Sequence, residues 1–151
     1  MAACPPGYCY VYAFPVFFVI LWIGIFHVVA RVGGWRPLAE RYRARLEPMR
    51  AETFRMQSGR LGRWCGYNNC LTVKLASAGL YIAMPWIFGF GHEPLLIPWD
   101  RLKVVSRGRT FGVAFTQFEL TDPPGFLLLL ADRVIDKARE LGYVKDDTGK
   151  R

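Results

Sequence analysis

The sequence predicts an N-terminal transmembrane helix followed by a small α+β domain, an antiparallel sheet with a C-terminal helix packed against it. Three features carry that expectation: an uncharged apolar run near the N-terminus, several short alternating runs in the middle, and one amphipathic helical pattern near the C-terminus. The chain of 151 residues has room for one ordinary domain beside a membrane segment. The expected division is a short extracytoplasmic segment at 1–10, the transmembrane helix at 11–30, a basic amphipathic linker or helix at 31–52, a cytoplasmic sheet-plus-helix domain at 53–145 and a polar tail at 146–151.

The anchor runs from Val11 to Ala30, twenty residues without a charged side chain. At 1.5 Å per residue such a helix covers roughly 30 Å, the thickness of a bilayer core. His27 lies one turn from its end, where an imidazole reaches the headgroups, and Pro15 is expected in or near the first turn, where its missing N–H costs least. The first ten residues carry no charge while Arg31 and Arg36 follow the run, the reverse of a cleaved signal peptide. The same bias places the N-terminus outside and the rest of the chain in the cytoplasm. A second uncharged stretch, Leu75 to Gly91, is divided by Gly79, Pro85, Gly89 and Gly91 and has cations on both sides. Two strands and a loop are therefore expected there in preference to a second span.

The net charge of +8 is concentrated just after the anchor: residues 31–63 hold nine arginines against three glutamates. Gly33-Gly34 breaks the membrane helix, Pro37 suits the first turn of a new one and Pro48 ends or bends it. Trp35, Leu38, Tyr42, Leu46 and Met49 recur at intervals of three, four, four and three, an apolar stripe on an arginine-rich helix. Two uses of that helix are open. The stripe can lie in the headgroup zone with the arginines near the phosphates of anionic lipids, or Leu38, Tyr42 and Leu46 can pack on the following domain with the arginines merely solvated. On the first reading the membrane-interface residues are Trp35, Arg36, Leu38, Arg41, Tyr42, Arg43, Arg45 and Leu46. Nucleic-acid binding is disfavoured, because no recognisable reading motif accompanies the charge.

Beyond Glu52 the pattern turns β-like. Phe54, Met56 and Ser58 alternate with Arg55 and Gln57, and Leu71, Val73 and Leu75 alternate with Thr72 and Lys74. Gly79 to Met84 is expected to pair with the latter through a hairpin at Ala76-Ser77-Ala78. Pro94 and Pro98 bound a strand that must be short or at an edge. A further strand carries Leu102 and Val104 on one face, and Gly108 turns the chain into another in which Val113, Phe115 and Gln117 share a face. A bulge is expected to carry that strand on through Phe118 to Leu120, before Asp122-Pro123-Pro124-Gly125 stops it. The apolar run from Phe126 to Leu130 has no clear period, whereas Val134, Ile135, Ala138 and Leu141 line one side of a helix that begins near Asp132 and stops at Gly142.

Catalytic chemistry finds little footing. Neither a G-x-S-x-G elbow, an H-E-x-x-H pair nor a phosphate-binding glycine pattern occurs, so no catalytic, cofactor or metal residue is expected. His92, Glu93 and Asp100 would form an acid–base site only if the fold united them. Cys4 and Cys9 precede the anchor and Cys65 and Cys70 follow it, which separates them across the bilayer and forbids one four-ligand zinc site. Trp86, Ile87, Phe88 and Phe90 are the other candidate contact, because so many large apolar side chains in one connection are buried or touch something. They can close the core, enter the bilayer or receive a membrane protein partner.

The segments GLYIAMPW and GHEPLLIPWDRLKVV, with GWRPLAERYR before them, resemble small uncharacterised bacterial single-pass membrane proteins with a pleckstrin-homology-like cytoplasmic domain. That resemblance implies a curved antiparallel sheet closed at one end by the C-terminal helix, a place at the bacterial cytoplasmic membrane and no established catalysis. The expected role is a non-enzymatic membrane-anchored binding or scaffolding module whose partners are anionic membrane lipids. The alternatives are an accessory subunit of a larger membrane complex, then an enzyme with an unrecognised site.

Overall fold

The computed structural model describes residues 6–145; the expected polar tail, Cys4 and the first half of the expected extracytoplasmic segment lie outside the described residues. The apolar run forms one helix, α1 (Pro6–Val32), that is longer than the uncharged core at both ends. Its stretch Tyr10–Val32 is long and apolar enough to cross a membrane and is almost wholly exposed along its flanks. Pro15 is not in the first turn but inside the helix, because the helix begins at Pro6.

Glycine ends α1. Gly33 and Gly34 turn the chain into α2 (Trp35–Tyr42), with Gly34 at φ 79°, a left-handed conformation that glycine adopts without strain. A Cβ at Gly33 would stand 2.7 Å from the Cys65 sulfur, and one at Gly34 2.8 Å from the Phe126 ring. Two bare backbones are what let the corner sit against the sheet.

That sheet is built from seven antiparallel strands: β1 (Glu52–Leu61), β2 (Cys65–Ala76), β3 (Gly79–Ala83), β4 (Leu95–Ile97), β5 (Leu102–Thr110), β6 (Val113–Leu120) and β7 (Phe126–Ala131). They lie in the order β4-β3-β2-β1-β7-β6-β5 and curl into a half-barrel, two meanders joined where β1 meets β7. The helix α3 (Asp132–Glu140) then packs back against β6 and β7, burying Val134, Ile135 and Ala138. Gly142, at φ 76°, ends it. Leu141, expected on its buried side, is exposed instead, since it falls at the cap beyond the last helical turn.

Several strands differ from their expected phase. β1 is longer than expected and irregular: Met56 takes φ 55° and its register against β2 shifts on either side of Gln57. Met56 is therefore exposed, while Gln57 and Leu61 turn inward. The buried Gln57 is satisfied by donating to the Arg55 carbonyl at 2.7 Å and accepting from Arg133 at 2.8 and 3.0 Å. In β6 the buried residues are Thr116, Phe118 and Leu120, so Phe115 and Gln117 face the other way. The apparent loss of alternation came from a buried threonine, whose hydroxyl donates to Asp132 Oδ1 at 2.5 Å at the start of α3. The bulge expected in β6 belongs to its partner, where Val105 is left out of register between Val104 and Ser106. The turn between β5 and β6 falls at Phe111-Gly112, both at positive φ, and Gly108 lies inside β5. The ambiguous run from Phe126 becomes β7, because it fills the gap between β1 and β6.

The edge strand β4 is flanked by its prolines as expected, and it is partly covered. The chain leaving α2 lies along it, with Arg43 bridging to Leu95 and the Ala44 N–H donating to the Pro94 carbonyl at 2.8 Å.

Candidate functional site

The foot of α1, α2 and the β3–β4 connection meet at one place, and aromatic rings carry the junction. Phe14, Phe18, Trp22 and Phe26 recur every four residues along one side of α1, with successive ring centroids 5.1 to 6.4 Å apart. Phe88 of the β3–β4 connection sits against the inner end of that ladder, 6.1 Å from Trp22 and 5.5 Å from Phe26. His92 meets Phe26 edge-on and then Trp35 at 4.9 Å and Tyr67 at 5.8 Å. A continuous aromatic path thus runs from the apolar helix into the core of the domain.

Trp35 is the centre of that path. It is fully buried, and its indole N–H donates to the Glu93 carbonyl at 2.7 Å. Leu38 is equally buried and Tyr42 half-buried, with its hydroxyl donating to the Asp122 carbonyl. The stripe expected between Trp35 and Met49 therefore stops at Tyr42 and faces the sheet. Leu46 and Met49 lie beyond the helix, exposed, because the chain turns along β4 well before Pro48. Of the two uses weighed for the stripe, the structure has the packed one for Trp35 and Leu38.

The arginines of the same segment stay outside and frame a cavity of about 640 Å³ at the foot of α1. Arg31, Arg36, Arg41, Arg43 and Arg45 line it, with His27, Glu40, Gly91 and Glu93. Some of this charge is already answered: Arg36 pairs with Glu40 at 3.6 Å, Arg43 with Glu93 at 3.0 Å and Arg41 with Asp122. Among the described residues Arg31 and Arg45 have no ion-pair partner. Five guanidinium groups around two carboxylates leave the cavity cationic, and its two unanswered arginines suit a phosphate or carboxylate.

Sequence reasoning grouped Arg36, Arg41, Arg43 and Arg45 at the interface, but it met His27 and Arg31 only as ends of the anchor, Gly91 only as a break and Glu93 only in the acid–base grouping. Arg31, the first cation after the apolar run, carried a usable signal. Glu93 did not, since nothing local says that a carboxylate some fifty residues away closes the same cavity.

Comparison with family models, with curated proteins and with solved structures returns no match. The acid–base grouping is not assembled, since each of its members has other partners: Glu93 pairs with Arg43, exposed Asp100 with Arg101 at 3.6 Å, and His92 with Tyr67 and Phe90. His92 Nδ1 lies 3.1 Å from the Phe90 carbonyl, which only accepts, so this nitrogen carries the proton and Nε2 accepts from the Tyr67 hydroxyl at 3.3 Å. Burial lowers the His92 pKa against the smaller opposing effect of the Phe90 carbonyl, with nearby His27 also lowering it. It is a neutral structural histidine. Burial likewise raises the Tyr67 hydroxyl, with Cys65 and Cys70 adding to it, and raises the Cys70 thiol. Both β2 cysteines are free, half-buried thiols.

Trp86, Ile87, Phe88 and Phe90 divide by role. Phe88 is held against α1, while Trp86 is 82% exposed and Ile87 and Phe90 partly so. They do not close the barrel core.

Proposed function

We propose that this chain is a non-enzymatic, membrane-anchored module that binds anionic lipid headgroups at the cytoplasmic face of a bacterial membrane. α1 spans the bilayer with its N-terminus outside, and the half-barrel is a pleckstrin-homology-like domain held directly beneath it. The observation that carries this reading is the arginine-lined cavity at the foot of the apolar helix. Its position matters as much as its charge. His27, Ala30 and Arg31 come from the last turns of α1, so once the helix spans, the cavity opens at headgroup depth. The excess of arginine just after the span supports the orientation, and two meanders followed by a packing helix support the domain type.

The ligand chemistry is a phosphate monoanion or diester met by Arg31 and Arg45, with Arg36 and Arg43 able to exchange their carboxylate partners for it. The test uses the full chain in zwitterionic micelles, titrated with short-chain phosphatidylglycerol, short-chain phosphatidylcholine and inorganic phosphate. Preferential binding of phosphatidylglycerol, abolished in Arg31→Gln/Arg45→Gln, is the expected result. Both arginines are exposed, so the double variant keeps the fold. Equal binding of the two lipids, or undiminished binding by the variant, refutes headgroup selection. Binding of inorganic phosphate alone identifies a soluble anion as the ligand instead.

A further inference from the structure

We propose that residues 84–92 of the β3–β4 connection form a membrane-inserted loop, which docks on the anchor and buries Trp86 and Ile87 among the acyl chains of the cytoplasmic leaflet. This rests on the reading of α1 as a membrane span.

The loop meets the anchor well above its inner end. Trp22 and Phe26, which hold Phe88, lie nine and five residues before Arg31, or roughly 13 and 8 Å along the helix axis at 1.5 Å per residue. Half of a bilayer core is about 15 Å. If Arg31 marks the headgroups, a loop touching Trp22 is already inside the hydrocarbon.

Much of the loop's backbone is also satisfied within the protein. Irregular backbone is tolerated at membrane depth only where its polar groups are satisfied within the protein. Here Phe88 N–H donates to the Pro85 carbonyl at 2.9 Å, Gly89 N–H to Trp86 at 3.3 Å and His92 N–H to Gly89 at 2.9 Å. Side chains take up two more carbonyls: the Trp22 indole donates to that of Ile87 at 3.4 Å and His92 Nδ1 to that of Phe90 at 3.1 Å. Pro85 brings no N–H that would need a partner. From Leu75 to Gly91 there is also no charged side chain to carry into the bilayer.

Ile87, whose carbonyl accepts from the Trp22 indole, and the adjoining Trp86 are exposed, as is the apolar flank of α1; that flank is covered by lipid if the helix spans, so the same lipid meets the loop. Gly91 makes the docking possible. It adopts φ 76°, and a Cβ there would stand 2.5 Å from His27 Nδ1. The domain is thereby fastened to the membrane at two points on one face of α1, which fixes its rotation as well as its distance.

The test places an environment-sensitive fluorophore on single cysteines at Trp86, Ile25 and Phe111, in the full chain lacking its native cysteines and reconstituted into phosphatidylcholine–phosphatidylglycerol vesicles. Ile25 reports the exposed flank of α1, and Phe111, at the β5–β6 turn, reports water. The expected result is a blue-shifted emission at 86, quenched by acyl-chain nitroxides as at 25, with the loss of iodide quenching that 111 retains. A label at 86 that behaves like 111 while 25 remains in the acyl region overturns the inserted loop and leaves the span standing. Shielding of 86 from both quenchers means that a second copy covers it, and also overturns the proposal. Iodide quenching at both 25 and 86 refutes the span itself and the loop with it. A second measurement uses the otherwise native chain: Trp86→Phe is expected to reduce the tryptophan emission quenched by brominated lipids, and an unchanged quenched fraction counts against insertion.

Discussion

Replacing Trp35 by alanine removes the side chain on which α2, the β3–β4 loop and β2 converge. It is fully buried, stands edge-on to Tyr67 and His92 at 5.6 and 4.9 Å, and donates to the Glu93 carbonyl at 2.7 Å. Truncating a buried tryptophan costs about 3–5 kcal/mol in lost transfer energy and residual cavity. That raises the unfolding constant by roughly two to three and a half orders of magnitude, at about 1.4 kcal/mol per tenfold. Trp35→Phe keeps a ring in place but leaves the Glu93 carbonyl without its donor, for an intermediate loss of about 1–3 kcal/mol. Alkylation of Cys70 in the full chain in mild detergent reads the opening of β2, since that thiol is half-buried and on the strand. The expected order of labelling rates is alanine, then phenylalanine, then wild type. Trp64→Ala, at a site 85% exposed, provides the unaffected control. A loss below about 1 kcal/mol for Trp35→Ala, or equal rates for the two variants, refutes the assignment of α2 to the core.

Two further predictions concern the same junction. His92 is buried neutral with a lowered pKa, so the unfolded chain binds a proton more readily than the folded one. Its contribution is present above the unfolded value of about 6.5 and is lost as pH falls toward the folded pKa, so thermal stability drops from pH 7 to 5 and His92→Phe flattens that drop. A slope unchanged in the variant assigns the acid sensitivity elsewhere. Gly91→Ala forces a side chain into a left-handed conformation and against His27, and is expected to cost about 1–2 kcal/mol from the backbone alone, read as a lower midpoint in thermal unfolding; Gly112→Ala, also at positive φ but in open space, separates backbone strain from the clash.

The apolar helix, the antiparallel strands bounded by proline and glycine, and the last helix were all legible in the sequence, because each depends on local periodicity or on a residue that fixes a backbone angle. Val134, Ile135 and Ala138 are inward as their spacing requires, and Gly142 stops the helix. Phase was less secure wherever a polar residue is buried: Gln57 and Thr116 face inward because Arg133 and Asp132 on α3 satisfy them, and no local pattern contains those partners. The run at Phe126 becomes a strand for the same kind of reason, since β1 and β6 supply its hydrogen bonds from distant parts of the chain.

Local composition dictates that an uncharged helix precedes a dense block of arginine and that a second apolar stretch is too broken to match it. Tertiary structure alone decided what those features are next to. Chain folding turned Trp35 and Leu38 inward, left the arginines around one cavity with Glu93, and laid Phe88 on Trp22, sixty-six positions away. The physical reason is that charge and hydropathy are properties of a residue, whereas a binding site is a property of distances between residues, and those are set only when the half-barrel closes its core.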